Sequence, residues 1–518
     1  MKKVIFRYLS CFLCISLLLS IIAPVVSASE SKSEIEVQRQ CPTIYVHGFA
    51  CGNIYENIGT DKQKQVWPMD SDTIMTAVKT AIPPIISYLL THNYAKFEDA
   101  LVEVANILFE PAWNNKDGSI REGTGILWSY PEEIDTENTI YFNYDWRKDP
   151  TEVADELNDF IDYVLEKTGE EKVAIECHSM GGVIVMSYLA EYGMNKVHGI
   201  VLDSTAIYGA GYIGKLFSGD IVIDGEALYS YLLYAMDETD AEIIVDFIFD
   251  SLYAAGIYDI VEFLADELIK RSLERASKEV LIPLFGSWPS IWAMISDEEY
   301  EHCEKYVFET AVADEIEEYA GLREKVQNFN TTVRPYKDEI ISNLAATNHF
   351  MIISKYGYSM APVTDTWKIM SDGTIDTKYT SYGATCADVG EYLTDDYVAQ
   401  HESLGYISPD HIVDASTCDY PDNTWFIKDD KHSNNTDALN ELKQAVLFGD
   451  TPVNIYTYSE YPQYMIRSDG DIIPFTEYEK PKINILYEYG NFMRCVREKI
   501  IEMFRNIFEK LSSVFEIK

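Results

Sequence analysis

One serine in this sequence lies between a predicted strand and a predicted helix, a position suited to nucleophilic chemistry. Residues 172 to 177, Lys-Val-Ala-Ile-Glu-Cys, form a predicted strand, and Ser179 follows within His-Ser-Met-Gly-Gly. Residues 183 to 193 have apolar side chains at helical spacing. A sharp strand-to-helix turn exposes a serine hydroxyl, but it requires small residues two positions before and after the serine. Gly181 meets this requirement, and Cys177 replaces the usual glycine with a small, typically buried side chain. The pattern predicts Ser179 as a nucleophile.

A serine hydroxyl needs a base to take its proton and a carboxylate to orient that base. With this type of turn, the acid and then the histidine follow the serine along the chain. Asp372 lies at the end of a strand-like run within residues 367 to 376 and is the predicted acid, with Asp376 as the alternative. Asp-Gly pairs also favour hairpin turns, so a purely structural role for Asp372 is the competing interpretation.

Three histidines follow Asp372, namely His401, His411 and His432. His432 comes just after an apolar strand-like stretch and lies in a polar segment, where a loop can reach a cleft. Catalytic residues are frequently found on loops that a rigid scaffold positions. We therefore predict His432 as the base.

The tetrahedral intermediate of acyl transfer carries an oxyanion that needs two prepositioned N–H donors. The residue after the nucleophile supplies one donor, which is the backbone N–H of Met180. The loop after the first strand, at His47-Gly48-Phe49, predicts the N–H of Phe49 as the second. No metal or other cofactor is needed for this chemistry.

The elements around these residues alternate between strand and helix, which predicts a mainly parallel sheet with helices on both faces. We expect a discontinuous core over residues 38 to 210 and 346 to 450. Amphipathic helices follow one another over residues 211 to 345 and predict a helical cap inserted into this core.

Two further segments fall outside this alternation. Residues 53 to 130 are rich in helix formers and aromatic residues and predict a second, helical insertion. Residues 451 to 518 are expected to form an extension that ends in an amphipathic helix at 485 to 518. Such a helix packs on its own domain or makes peripheral contact with a membrane.

The composition bounds the class of protein. The 518 residues are 47% hydrophobic and 24% charged, which is the balance of a globular protein. Lysine and arginine number 41 against 85 aspartate and glutamate residues, a net charge of -44. Nucleic acid is excluded as an expected partner because phosphate binding requires clustered positive charge.

The first 28 residues have the pattern of a secretory signal peptide. Lys2, Lys3 and Arg7 precede an apolar run, and Ser27 and Ala28 offer small residues at the cleavage site. We expect export and cleavage after Ala28, with an uncleaved anchor as the alternative.

Seven cysteines follow residue 28, and an oxidising exterior permits disulfides among them. Cys386 and Cys418 flank the segment between the predicted acid and the predicted base. A bridge between these two cysteines is therefore a hypothesis for bracing the loops that carry Asp372 and His432. None of the cysteines has paired spacing with histidines, so no zinc site is predicted.

Three local strings, taken together, resemble the lipase branch of the α/β-hydrolases, and specifically the lecithin:cholesterol acyltransferase-like family. Residues 46 to 49, Val-His-Gly-Phe, are similar to the oxyanion loop of that family. Residues 144 to 147, Tyr-Asp-Trp-Arg, are similar to its most specific string, and residues 178 to 182 are similar to its nucleophile turn. The resemblance covers about half of the chain and implies an α/β-hydrolase fold with an inserted helical cap.

The resemblance also bears on the acid and on the cap. Residues 371 to 376 are similar to the acid-bearing segment of these lipases, which implies Asp372 rather than Asp376. Residues 285 to 295 are similar to the part of the family's cap that contains proline and tryptophan. The resemblance implies that the cap forms the groove for an acyl chain.

These observations predict a secreted serine lipase or esterase that acts on carboxylic esters of apolar or lipid substrates. Phospholipase activity, or acyl transfer to an alcohol, uses the same Ser-Asp-His residues and stays open as an alternative. A protein with this fold that binds lipid or a surface partner without catalysis is the alternative from another class.

Overall fold

The computed structural model describes residues 38–91, 94–236, 262, 275–468 and 470–478. The predicted signal peptide and the predicted terminal helix at 485 to 518 lie outside the described residues. The strands are β1 (Thr43–Val46), β2 (Ile54–Glu56), β3 (Lys64–Trp67), β4 (Ile140–Phe142), β5 (Val173–His178), β6 (Val197–Asp203), β7 (Phe350–Tyr356), β8 (Thr385–Cys386), β9 (Val413–Asp414), β10 (Thr424–Lys428), β11 (Tyr464–Ser468) and β12 (Asp471–Pro474).

The α-helices are α1 (Ser71–Thr91), α2 (Tyr94–Phe109), α3 (Pro150–Thr168), α4 (Gly181–Tyr192), α5 (Gly211–Ser218), α6 (Gly225–Met236), α7 (Pro289–Ala293), α8 (Asp297–Tyr306), α9 (Ala320–Thr332), α10 (Lys337–Ala345), α11 (Thr377–Thr380), α12 (Asp395–His401) and α13 (Asp437–Phe448). Wider π-helical turns occur at Ser277–Gly286 and Val307–Ala311. Within the described residues, no helix is both long enough and apolar enough to span a bilayer.

Eight strands form the central sheet, in the order β12-β11-β10-β7-β6-β5-β1-β4. Neighbouring strands are parallel, except for β11 and β12, which run antiparallel. This architecture, with helices between consecutive parallel strands, is the α/β-hydrolase fold expected from the sequence.

Both faces of the sheet are buried, which explains why its strands are apolar runs rather than alternating ones. In β5, Ile175 belongs to the core on one face and Ala174 to the core on the other face. In β6, Leu202 likewise belongs to the core on the first face and Val201 to the core on the second. Helices α3 and α4 cover the first face, and α13 covers the second.

Helix α3, which precedes the nucleophile strand, has clear start and stop signals. Asp149 caps its first turn by accepting a hydrogen bond from the backbone N–H of Thr151, and Pro150 occupies the first position. Gly169 ends the helix in the left-handed conformation, at φ 76°. These signals fix where the chain turns back toward β5.

The central sheet does not stop at residue 450, so the expected boundary of the core was wrong. Strand β11 pairs with β10 in parallel, and β12 pairs with β11. The buried side chains of Met465 and Ile472 pack on the same core as α13. Residues 464 to 474 therefore belong to the core rather than to an extension.

Two other local expectations were also wrong. Residues 367 to 376 do not form a strand, because the chain makes tight turns there, and Ser371 forms single bridges to Tyr358 and Asp376. The insertion at 53 to 130 is only partly helical, since β2 and β3 form an antiparallel pair before α1 and α2.

The described part of the expected cap, residues 211–236, 262 and 275–345, is helical and lies between β6 and β7 in the chain. Strands β6 and β7 pair directly with each other in the sheet. The chain therefore leaves the core after one strand and returns to the neighbouring strand.

Candidate active site

Ser179 lies at the turn between β5 and α4 with φ at 57°, a left-handed conformation that is uncommon for a residue other than glycine. Its backbone N–H donates to the carbonyl oxygen of Asp203 at 3.2 Å. Its own carbonyl oxygen accepts from the N–H groups of Gly182 at 3.1 Å and Ala206 at 3.0 Å. Three backbone hydrogen bonds therefore hold the strained serine in place, as a nucleophile turn requires.

The glycines after Ser179 allow the turn to approach neighbouring segments. A β-carbon at Gly181 would lie 2.2 Å from the carbonyl oxygen of Val46, and one at Gly182 would lie 2.6 Å from the β-carbon of Thr205. Neither separation is possible for real atoms. Glycine is thus required at both positions, by the backbone of Val46 at the first and by the side chain of Thr205 at the second.

Cys177 stands where the usual pattern has glycine, and it is buried within β5. Its sulfur lies 3.5 Å from the carbonyl oxygen of Val201, and burial raises the pKa of its thiol well above the ordinary value. A thiol held in its neutral form is inert, so Cys177 fills space and does not act as a nucleophile.

The loop after β1 lies directly against the nucleophile. A β-carbon at Gly48 would lie only 2.7 Å from the β-carbon of Ser179 and 3.1 Å from its hydroxyl oxygen. The N–H groups of Phe49 and Met180, the predicted oxyanion donors, donate to no acceptor within the described part of the chain. Both donors belong to segments that flank Ser179, as oxyanion stabilisation requires.

The Tyr-Asp-Trp-Arg string supports this loop. The hydroxyl of Tyr144 donates to the carbonyl oxygen of His47 at 2.6 Å, and the two rings stack with centroids 4.3 Å apart. Asp145 and Arg147 form an ion pair at 2.7 Å with almost no exposure, and Arg147 also donates to the carbonyl oxygen of Ala112. The string therefore braces the loop before the first candidate oxyanion donor.

Asp372 is fully buried and is held by its own turn. Its Oδ1 accepts from the N–H groups of Thr374 at 2.9 Å and Ile375 at 2.7 Å. Its Oδ2 lies 2.7 Å from Nδ1 of His432. Asp376 instead accepts from the N–H of Gly211, so of the two acid candidates Asp372 is the one in contact with His432.

His432 is oriented by Asp372 through two hydrogen bonds. Its backbone N–H donates to the carbonyl oxygen of Asp372 at 3.0 Å, in addition to the contact through the ring. Because a carboxylate only accepts, Nδ1 donates and the lone pair is on Nε2. Nε2 is buried and has no hydrogen-bond partner among the described residues.

No hydrogen bond joins the hydroxyl of Ser179 to His432 in the described structure. The nucleophile turn contacts the base through His178, whose ring centroid lies 4.5 Å from that of His432. The contact between catalytic serine and histidine is often long without substrate and tightens in the complex. The structure therefore joins the predicted acid to the predicted base and brings the base beside the nucleophile turn.

The other two histidine candidates lie elsewhere. His401 stacks on Tyr397 at the end of α12, and its Nδ1 lies 2.9 Å from the carbonyl oxygen of the same tyrosine. His411 is a turn residue with φ at 58°. In the described chain neither histidine contacts Asp372.

His178 is a buried neighbour of the base. Desolvation, together with repulsion from His432, lowers the pKa of His178 to about 4. Its Nδ1 lies 3.1 Å from the carbonyl oxygen of Asp203, so the neutral ring donates to that oxygen. His178 therefore adds no positive charge beside His432 at neutral pH.

An aromatic cluster connects the oxyanion loop to the cap. The ring of Phe49 lies 4.7 Å from that of Trp146 and 5.7 Å from that of Trp288, measured between centroids. Trp146 and Trp288 lie 5.1 Å apart, and Phe285 also contacts Trp288. The cap segment singled out in the sequence thus packs directly on the loop that carries an oxyanion donor.

Two buried charges near the site were not anticipated from the sequence. Asp203 ends β6, and Lys355 lies in β7, which is buried along its whole length. Burial opposes ionisation of Asp203, but attraction to Lys355 and Lys443 outweighs it and holds the pKa of Asp203 well below the ordinary value. A charged residue within a buried strand was the sequence signal available for Lys355.

The bridge hypothesised between Cys386 and Cys418 is absent from the structure, in which both residues are free thiols. Burial is the main cause that raises the pKa of each thiol above its ordinary value. The acid and base loops are instead joined by the hydrogen bonds between Asp372 and His432.

A family model described as serine aminopeptidase, S33, matches residues 146–221. This range contains α3, β5, Ser179, α4 and β6. No curated protein matches the chain.

Among solved structures, a chain in the crystal structure of the Tle4-Tli4 complex matches with 16% identity and a TM-score of 0.19. The match covers 34% of this chain and 48% of that chain, about half its length. The central sheet and the family match together support an α/β-hydrolase-fold protein that is a hydrolase of the serine type.

Proposed function

We propose that the protein is a serine hydrolase of carboxylic esters, with Ser179 as nucleophile, His432 as base and Asp372 as the acid that orients it. The observation that carries this proposal is the 2.7 Å contact between His432 and Asp372, which leaves Nε2 of the histidine unpaired. The ring of His432 lies 4.5 Å from that of His178, the residue before the strained Ser179. A serine nucleophile served by a histidine base that a carboxylate orients is the arrangement that acyl transfer needs.

In the proposed mechanism, Nε2 of His432 takes the proton of Ser179 as the hydroxyl oxygen attacks the ester carbonyl carbon. The N–H groups of Phe49 and Met180 stabilise the oxyanion, and Asp372 stabilises the imidazolium. His432 then protonates the departing alkoxide, which leaves as the alcohol. Water attacks the acyl-enzyme with His432 again as base, which releases the acid and restores Ser179.

We further propose that the substrate is apolar or lipid-like. The support is the aromatic cluster of Phe49, Trp146, Phe285 and Trp288, which joins the oxyanion loop to the cap. Resemblance to the lecithin:cholesterol acyltransferase-like family favours the same class. Phospholipase and O-acyltransferase activities use the same three residues, and the product, a free acid or a new ester, distinguishes them.

The first test is hydrolysis of p-nitrophenyl esters with short and long acyl chains by residues 29 to 518. We expect Ser179→Ala to lose at least about a thousandfold in kcat/KM. Ser187→Ala is the matched control, because Ser187 is a buried serine on α4 whose hydroxyl only donates to the carbonyl oxygen of Val183. Equal activity of the parent protein and Ser179→Ala would overturn the assignment.

The description of the matching family model makes peptide bonds the main competing substrate. An aminoacyl p-nitroanilide should therefore be assayed beside the esters. Cleavage of the anilide without cleavage of any ester would replace the ester proposal with an aminopeptidase. Absence of turnover together with lipid binding would favour the catalytically silent alternative.

We also propose that the protein is exported and that residues 485 to 518 provide peripheral membrane contact. Expression of the full chain in a secreting host should yield mature protein that begins at Ser29, as read by N-terminal sequencing. Retention of residues 1 to 28 would indicate an anchor instead. Cosedimentation with vesicles, with and without residues 485 to 518, tests the membrane contact.

A further inference from the structure

A fully buried lysine lies behind the candidate base. Lys355 is in β7, and its side chain has 0% exposure. Its ammonium group donates to the carbonyl oxygen of His432 at 3.0 Å and to that of Asn434 at 2.5 Å. The loop that carries His432 is therefore fastened to the central sheet through its backbone, at the base itself and two residues later.

Two carboxylates balance the charge of this lysine. Oδ1 of Asp203 lies 3.6 Å from its Nζ, and Oδ2 of Asp430 lies 3.7 Å from it. Asp430 is itself held by Arg467 at 3.0 Å. The ammonium group thus lies between two buried acids, one at the end of β6 and one just before His432.

Asp203 connects this lysine to the nucleophile turn. Its carbonyl oxygen accepts from the backbone N–H of Ser179, and its carboxylate faces Lys355. The sequence of contacts runs from Ser179 through Asp203 and Lys355 to the backbone of His432. These contacts span two adjacent strands, β6 and β7, and join the backbone of the nucleophile to the backbone of the base.

A buried ammonium group is costly to desolvate, and an apolar residue in its place is often as stable or more stable. The neighbouring residues of β7, such as Met351 and Ile353, are apolar and fully buried. Stability alone therefore does not explain a lysine in this strand. Its two hydrogen bonds to the backbone of the His432 loop point to a role in positioning that loop.

We propose that Lys355 is a positioning residue that fixes His432 relative to Ser179, an inference that rests on the proposed function. Lys355 has no exposed surface and contacts no substrate, so its removal should lower kcat and leave KM nearly unchanged. A displacement of about 1 Å in a reacting group costs on the order of a hundredfold in rate, so we expect a loss of about tenfold to a hundredfold.

The test compares Lys355→Met with Lys443→Met in the mature protein. Lys443 is the matched control, because it is also buried and pairs with Asp203 at 2.8 Å but makes no hydrogen bond to the backbone of His432. Lys355→Arg keeps the charge and donors in a different geometry and provides a variant that does not leave the two acids unpaired. Thermal unfolding checks that each variant is folded.

Two rates are measured for each protein: kcat on a p-nitrophenyl ester, and the second-order rate of labelling of Ser179 by a fluorophosphonate. Labelling requires an activated serine but no particular ester. We expect Lys355→Met to be slower in both, Lys355→Arg to recover part of the loss, and Lys443→Met to stay within a few-fold of the parent.

Equal rates for Lys355→Met and Lys443→Met would overturn the proposal, as would a change in KM alone. If Lys355→Met does not fold, full kcat in a folded Lys355→Arg would overturn it, and reduced kcat with unchanged KM would support it. A parent that labels but cleaves no ester refutes the ester assignment and leaves labelling to decide the role of Lys355. A parent that does neither refutes both.

Discussion

Replacing Asp372 by asparagine removes the negative charge from the 2.7 Å contact with His432 while keeping the size of the side chain. The acid is fully buried, so water cannot substitute for the carboxylate. An asparagine amide that donates to Nδ1 would stabilise the tautomer with the proton on Nε2, and that nitrogen could no longer accept the proton of Ser179.

The expected loss in kcat is about 10³- to 10⁴-fold, because both the orientation of the base and the stabilisation of the imidazolium are lost. In free energy this corresponds to about 4 to 5.5 kcal/mol in the transition state. KM should change little, since Asp372 is buried behind His432 and does not reach the substrate.

Asp376→Asn is the matched control for this prediction. Asp376 is equally buried and four residues away, but its carboxylate accepts from the N–H of Gly211 at the start of α5. Its replacement should cost about 1 kcal/mol of stability through the weakened contact and leave most of the activity. Steady-state kinetics on a p-nitrophenyl ester decide the matter. Loss of activity in Asp376→Asn with an active Asp372→Asn would refute the acid assignment.

Three further outcomes follow from the geometry of the turn and its supports. Gly181→Ala should destabilise the protein by at least about 3 kcal/mol in urea denaturation, because the new β-carbon would meet the carbonyl oxygen of Val46 at 2.2 Å. An unchanged urea midpoint would contradict the close packing of Gly181 against Val46. Tyr144→Phe should lower stability by about 1 to 2 kcal/mol and reduce kcat a few-fold, since it leaves the carbonyl oxygen of His47 without its donor; calorimetry and kinetics check both effects. The pKa of His178 is lowered from 6.5 to about 4, so on acidification the unfolded chain takes up a proton at this residue before the folded protein does. The free energy of unfolding therefore falls as pH drops from about 6.5 to about 4, by on the order of 3 kcal/mol. Urea titrations at pH 7 and pH 4.5 should show a smaller fall in His178→Gln than in the parent protein.

The elements nearest Ser179 could be predicted because their signals are local. The apolar run of β5, the small residues around the serine and the helical spacing after it all lie within 20 residues of one another. The parallel sheet also follows from the alternation of strands and helices. These patterns depend on periodicity and on the space that a side chain occupies, which a sequence displays directly.

Other features depend on contacts between distant segments, which local patterns do not show. The segment that contains Trp367 and Met370 was interpreted as a strand, but both side chains are buried within a series of turns, and backbone hydrogen bonds join Ser371 to Tyr358. Strands β11 and β12 contain adjacent apolar residues, Met465-Ile466 and Ile472-Ile473, which the sequence displays but which were assigned to an extension. The environment of Lys355 is set by Asp203 at the end of β6 and by the loop that carries Asp430 and His432, so it could not be read from β7 alone.

The contact between Phe49 and Trp288 has a consequence for engineering the specificity of this protein. The cap and the loop that carries a candidate oxyanion donor share one hydrophobic cluster, so a cap taken from another protein is not an independent module. A graft that omits Trp288 would leave a cavity beside Phe49 and let its backbone N–H move away from Ser179. Chimeras intended to alter acyl-chain selection therefore need to transfer both aromatic residues together, or turnover will fall before selectivity changes.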